Sequence, residues 1–158
     1  VAASMPVSLV LYNPIVETIL GVIGTDIKTW DVRTSAQARS MVGISTAEIS
    51  TASFDRPLYR KLYLGTIEGT VTVMNFLCAI VLHKSKLHDG PVTFVGTHTV
   101  TRHVISAGLD GLLLVCKETL LGLEVLRSVT MAHPTGGMTH GVVNEPMSII
   151  MTTAQRSK

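Results

Sequence analysis

Trp30, Met74 and Cys116 mark the same point in three successive stretches of this chain, 44 and 42 residues apart. Each closes a short run of apolar and β-branched residues at period two, and each run follows a matching run and a turn. In the first stretch, "ETILGVIGTDIKTWDV" (Glu17–Val32), the turn is Gly-Thr. In the second, "KLYLGTI" (Lys61–Ile67) is followed by Glu68-Gly69 and "TVTVMNF" (Thr70–Phe76), with a third strand near Ile80–Lys86 and a fourth beginning at Pro91. In the third, "HVISAGLDGLLLVCKE" (His103–Glu118) turns at Asp110-Gly111. It lines up with the second stretch, Gly65 against Gly108 and Gly69 against Gly111 with one residue of slack. His88 and His133, in the segments leading into two copies, are 45 residues apart. "MTHGVVNEPMSIIMTTAQRSK" (Met138–Lys158) begins a further copy, with strands expected over Met138–Val143 and Met147–Thr153.

A period of 40–45 residues with four short strands per unit is the signature of β-propeller blades. The predicted fold class is all-β, an incomplete propeller arc of about three and a half four-stranded blades. The blades are expected at approximately 7–44, 45–88 and 89–133, with a half-blade over 134–158. A ring closes with about four to eight blades, so further blades or protein partners are expected to complete the arc. The apolar run Val71–Leu82, with only Thr72 and Asn75 polar, reads as two strands packed between neighbouring blades. It is too short for a membrane span, which takes roughly 18 or more apolar residues. Its turn holds Cys78-Ala79 where a tight hairpin takes Asn-Gly, so a longer or distorted hairpin is expected there. Charged residues make up only 15% and mean hydropathy is +0.42, as in a chain apolar on both faces.

"IKTWDVRT" (Ile27–Thr34), with Trp30-Asp31, resembles the end of strand c of a WD repeat, and "ISAGLDG" (Ile105–Gly111) resembles its strand b and turn. The chain thus looks like a WD-type propeller over roughly 7–153. "EISTASFDRPLYRKLYLGTIEGTVTVMNFLCAIVLHKSKLHDGPVTFV" (Glu48–Val95) is similar to the propeller of the EF-hand and WD-repeat-containing family; the acidic calcium loop of that family's other part is missing. The resemblance implies structural positions at Trp30, Asp31, His88, Ser106, Asp110, Gly111 and His133. Within a blade, loop His, strand Ser, turn Asp and strand Trp would share a hydrogen-bond network. In the third copy these are His88, Ser106 and Asp110, with Cys116 in place of Trp. In the second copy Met74-Asn75 replaces Trp-Asp. The resemblance further implies a non-enzymatic protein–protein scaffold in a cytoskeletal or axonemal assembly, in the cytoplasm, the cytoskeleton or a cilium. The alternatives are a recognition module of a ubiquitin-ligase or coat complex, or a small metal-binding β domain.

The remaining residues favour interaction over chemistry. Net charge is +2 and the basic residues are scattered, which is no footprint for nucleic acid. Their one cluster is Arg56, Arg60 and Lys61. His98 and His103 flank a turn between strands a and b; they could face each other around a metal, but the plainer reading is a polar surface turn. With Asp110 they are the only seeds of a catalytic or metal site. No His-x-x-x-His or Cys-x-x-Cys spacing, Walker loop or Gly-x-Ser-x-Gly is present, and no cofactor is expected. Candidate partner-contact residues are therefore Arg56, Arg60, Lys61, His98, His103, Pro134 and His140. Cys78 and Cys116 both sit in apolar strand-like contexts. They read as small buried hydrophobes in a reducing, intracellular compartment.

Overall fold

The computed structural model describes residues 6–130, 138–144 and 149–154. Within these the chain is all strand and turn. The first sheet is β1 (Leu9–Asn13), β2 (Thr18–Ile23), β3 (Asp26–Asp31) and β4 (Gln37–Met41). The second is β5 (Ile49–Phe54), β6 (Lys61–Thr66), β7 (Thr70–Asn75) and β8 (Ile80–Lys86). The third is β9 (Val92–Thr97), β10 (Val104–Gly108), β11 (Leu112–Glu118) and β12 (Leu123–Thr130). A two-stranded sheet, β13 (Met138–Asn144) and β14 (Ile149–Ala154), follows. Every sheet is antiparallel and paired in chain order. β5 lies beside β9 and β9 beside β13, so first strands line the inner side and fourth strands form the rim. The architecture is a partial β-propeller.

The repeat is built into the hydrogen-bond ladders. In each four-stranded sheet the third strand meets the fourth with a register shift, at Thr29/Trp30, Val73/Met74 and Val115/Cys116. The fourth strand skips one residue there, and the bulge adds twist at the same place in every blade. Trp30, Met74 and Cys116 are thus equivalent. Pairing of Leu62 with Met74 and of Val104 with Cys116 sets one constant offset between the second and third sheets. At that offset Gly111 falls on Gly69 with no slack and Gly108 falls on Thr66, not Gly65. The turn bonds agree: Gly69 N–H donates to Thr66 O (3.1 Å) and Gly111 N–H to Gly108 O (3.2 Å).

The core lies between sheets. Leu20, Val22 and Ile27 of the first sheet pack with Leu62, Leu64 and Met74 of the second, all fully buried. Val71 and Val73 on the other side of the second sheet pack with Val92, Val104, Leu114 and Cys116 of the third. Ile105, Ala107 and Leu113 carry the packing on toward Val143 of β13. β7 is therefore covered on both faces, which accounts for its near-continuous apolar sequence. Each fully buried Leu, Ile or Val contributes about 1.5–3 kcal/mol of transfer free energy. The outer face of the first sheet is open: Val10 is 65% and Tyr12 51% exposed.

The third-to-fourth strand turns of the first two sheets share one device. Asp31 Oδ1 accepts from the N–H groups of Arg33 and Thr34, both at 2.9 Å. Asn75 Oδ1 accepts from those of Leu77 (3.0 Å) and Cys78 (3.3 Å). Hydrogen bonds from the Thr34 N–H and hydroxyl hold the Asp31 carboxyl below the ordinary carboxylate value. Each loop then leaves through a left-handed residue, Ser35 at φ 57° and Ala79 at φ 58°. Cys78 sits in this turn and is exposed, which corrects the expectation that both cysteines are buried. The apolar run simply continues through the hairpin. Cys116 is buried as expected.

Candidate functional site

The loops divide between two faces. On one, the second-to-third strand turns meet the segments that enter a sheet: Ile49 N–H donates to Gly24 O (2.9 Å) and His88 N–H to Gly69 O (3.0 Å) from the segment entering the next sheet, and Leu109 N–H donates to Pro91 O (2.9 Å) of the segment entering its own. Gly69 is at φ 85°, and a Cβ there would lie 2.0 Å from His88 O, so no other residue fits this turn. On the opposite face, the first-to-second and third-to-fourth strand loops lie together, tied by Phe76 N–H to Arg60 O (2.8 Å) and Asn13 Nδ2 to Tyr59 O (3.0 Å).

The first face brings His88, Ser106 and Asp110 together. His88 Nδ1 lies 3.0 Å from Asp110 Oδ2 and Nε2 lies 2.9 Å from Ser106 Oγ. A carboxylate only accepts, so Nδ1 carries a proton, and in the neutral imidazole Nε2 accepts from the Ser106 hydroxyl. Asp110 also accepts from the backbone N–H groups of Asp89 and Leu112. The imidazole is 1% exposed and Ser106 is fully buried, while the Asp110 side chain is 11% exposed at the edge of the turn, so the imidazole and the hydroxyl face no solvent. Gly108 makes it possible: a Cβ there would stand 2.6 Å from His88 Nδ1 and 2.7 Å from Asp110 Oδ1. Gly111, at φ 79°, closes the turn.

The second sheet has no copy of this network: at the constant offset, Leu64 and Glu68 stand where the third sheet has Ser106 and Asp110. Trp30 lies over Gly21 of the neighbouring strand, where a Cβ would sit 3.0 Å from the indole. His133 and Pro134 lie outside the described residues. His140 is placed by backbone alone, in β13 opposite Thr153.

The opposite face holds the other candidate contact residues. Arg56 and Arg60 are exposed, in the loop between β5 and β6. His98 and His103 bracket the loop between β9 and β10, where His98 N–H donates to His103 O (2.9 Å). His98 Nδ1 accepts from Thr101 N–H (3.2 Å) and so fixes the turn. Among the described residues no group of three or more metal-ligating side chains converges. The two basic loops meet: Arg56 N–H donates to Thr97 Oγ1 (3.4 Å). Arg56, Lys61 and Arg102 line one cavity of about 170 Å³ together with Asp55, Tyr63 and Glu118.

Glu118 sits at the centre of that junction, and sequence inspection missed it. Its carboxylate accepts from Lys61 Nζ (2.6 Å) and Tyr63 OH (3.1 Å), and His83 Nε2 lies 3.6 Å away. All three partners belong to the second sheet, whereas Glu118 ends β11 of the third. Burial, and then the charge of Glu118, push the Tyr63 phenol well above its ordinary value. The only signal in the sequence was a Glu closing a strand.

Among the described residues no helix is long and apolar enough to cross a membrane. No family model matches the chain. One curated relative, U3 small nucleolar RNA-associated protein 21 of Saccharomyces cerevisiae, is 29% identical over 103 residues, covering 60% of this chain and 10% of the relative. A chain in a crystal structure of the mitotic checkpoint complex superposes with a TM-score of 0.79 at 15% identity, over 96% of this chain and 45% of that one. This chain therefore spans a small part of the relative and under half of the solved chain. The two likenesses support a WD-repeat propeller, and they lend no support to the narrower EF-hand and WD-repeat-containing family.

Proposed function

We propose that the chain is a non-enzymatic protein–protein interaction scaffold whose contact face is the one bearing the Arg56–Lys61 and His98–His103 loops. One observation carries this reading: loops from adjacent sheets are joined by Arg56 to Thr97 and share a cavity wall through Lys61 and Arg102. Propellers present such loops on rigid sheets, and function resides in the loops rather than in the fold. The triad of His88, Ser106 and Asp110 serves the blade: its polar atoms are spent on one another and on the backbone. The relative's association with a small nucleolar RNA suits an arc held inside a large assembly. A cytoskeletal or axonemal setting rests on the Glu48–Val95 resemblance alone.

A photoactivatable residue placed at Arg60 tests the reading, with one at Asp89 as the opposite-face control. Irradiation in the native extract is expected to give protein adducts from Arg60. Adducts from Asp89 only, or from neither position, would sink the assignment of this face.

A further inference from the structure

The cavity beside Arg56 does not end at Glu118. A second, shallower groove of about 480 Å³ shares Lys61, Arg102 and Glu118 with it and runs on past Lys117 to Leu120. Lys61 is paired with Glu118. Among the described residues Arg56, Arg102 and Lys117 form no ion pair, and all three are exposed. Asp55 and Glu118 also line the trough, and against them Arg56, Lys61, Arg102 and Lys117 leave it net cationic, with leucines at both ends. Leu58 is 41% exposed at one end. At the other, Leu120 and Leu121 are 101% and 96% exposed.

The turn that carries the two leucines is fixed by hydrogen bonds. Their hairpin is closed by Thr119, whose N–H (2.8 Å) and hydroxyl (2.9 Å) both donate to Gly122 O. It is anchored to the second sheet by Leu123 N–H to Ser85 Oγ (2.9 Å). A backbone already fixed in its turn loses little freedom on docking.

We infer that this trough binds an extended, acidic segment of a partner protein, with carboxylates on Arg56, Arg102 and Lys117 and an aliphatic side chain against Leu120 and Leu121. The inference rests on the scaffold reading above and names the partner's chemistry. Charge complementarity fixes the sign of the ligand. The exposed leucines favour a peptide over RNA, which would take aromatic platforms for its bases.

Fluorescence anisotropy of the full chain with a labelled peptide of alternating Glu and Leu is the test. Its controls are the same peptide with Ser for Glu, and oligouridylate. The Glu-Leu peptide is expected to bind and the Ser-Leu peptide to fail. Arg102→Asn is expected to weaken binding roughly tenfold, with the fold kept, because Arg102 is at φ 59° and Asn tolerates that conformation. Leu120→Ser with Leu121→Ser is expected to weaken it several-fold. Peptide binding indifferent to both variants overturns the inference. So does oligouridylate binding that depends on Arg102 and not on the leucines. If Arg60 still cross-links a protein while the acidic peptide fails to bind, the scaffold reading stands and this inference falls.

Discussion

Asp110 grips the buried imidazole of His88 from the turn of β10 and β11, with Oδ2 3.0 Å from Nδ1, while the same carboxylate caps Asp89 and Leu112. The contact joins the segment that enters the third sheet to that sheet's own hairpin. Removing either partner leaves polar atoms buried and unpaired. His88→Ala and Asp110→Ala are each expected to cost about 2–4 kcal/mol, read as a fall in the urea midpoint at unchanged m-value. Gly108→Ala is expected to be as damaging, because its Cβ would displace the pair. A midpoint equal to that of the parent in all three would show that the network does not hold this blade.

Ala79 offers the opposite sign. It occupies the left-handed region at φ 58°, where a β-carbon costs energy and glycine does not. Ala79→Gly is expected to stabilise by about 0.5–1 kcal/mol. Asn75→Ala, which strips the acceptor from two turn N–H groups, is expected to destabilise by about 1 kcal/mol. Asn75→Asp should be near neutral, since Asp31 does the same work in the first sheet. Thermal unfolding of the three variants checks the set, and a destabilising Ala79→Gly would contradict the turn geometry.

The blades were legible because the bulge falls at one place in every sheet, so Trp30, Met74 and Cys116 keep their spacing through unrelated side chains. His88, Ser106 and Asp110 were legible because their order matches a known repeat. Asn75 was not: compared letter by letter it departs from Trp-Asp, yet its amide oxygen accepts the same turn bonds as the Asp31 carboxylate. Cys78 was misplaced because apolar residues run through the turn without a break in pattern. The trough on the loop face was invisible for another reason. Arg56 comes from the second sheet and Arg102 and Lys117 from the third, and only the packing of the two sheets brings their adjoining cavities together.

The two thiols should separate cleanly. Cys78 is exposed, whereas burial pushes the Cys116 thiol up to about 11. Ellman's reagent at neutral pH is expected to modify Cys78 at once and Cys116 only with unfolding. The raised value also has a thermodynamic consequence. The unfolded thiol ionises near 9.0 and the folded one near 11, so between these the unfolded state loses its proton first. Stability is therefore full below 9.0 and falls as pH rises toward about 11. Cys116→Ala should remove this part of the alkaline loss, seen as a shallower decline of the urea midpoint across that range. An equal decline in parent and variant would assign it elsewhere.

Glu118 draws Lys61 and Tyr63 of the second sheet onto the third, with Tyr63 only 3% exposed. The charge pair is partly exposed, so Lys61→Met is expected to change stability by less than about 1 kcal/mol. Glu118→Ala is different, because it strands the buried phenol. A loss of about 1–3 kcal/mol is expected, and Tyr63→Phe combined with Glu118→Ala should lose less than the two single losses added together. The phenol also gives an optical readout. The chain has three tyrosines, and ionisation followed by the ultraviolet absorbance of the phenolate is expected to show one of them silent until the protein unfolds. In Glu118→Gln the nearest charge is gone and burial, with the charge of Asp55, still opposes ionisation, so Tyr63 should titrate at lower pH than in the parent while remaining above an ordinary tyrosine. Tyr63 ionising in the parent before the protein unfolds would show that the junction between the second and third sheets is open.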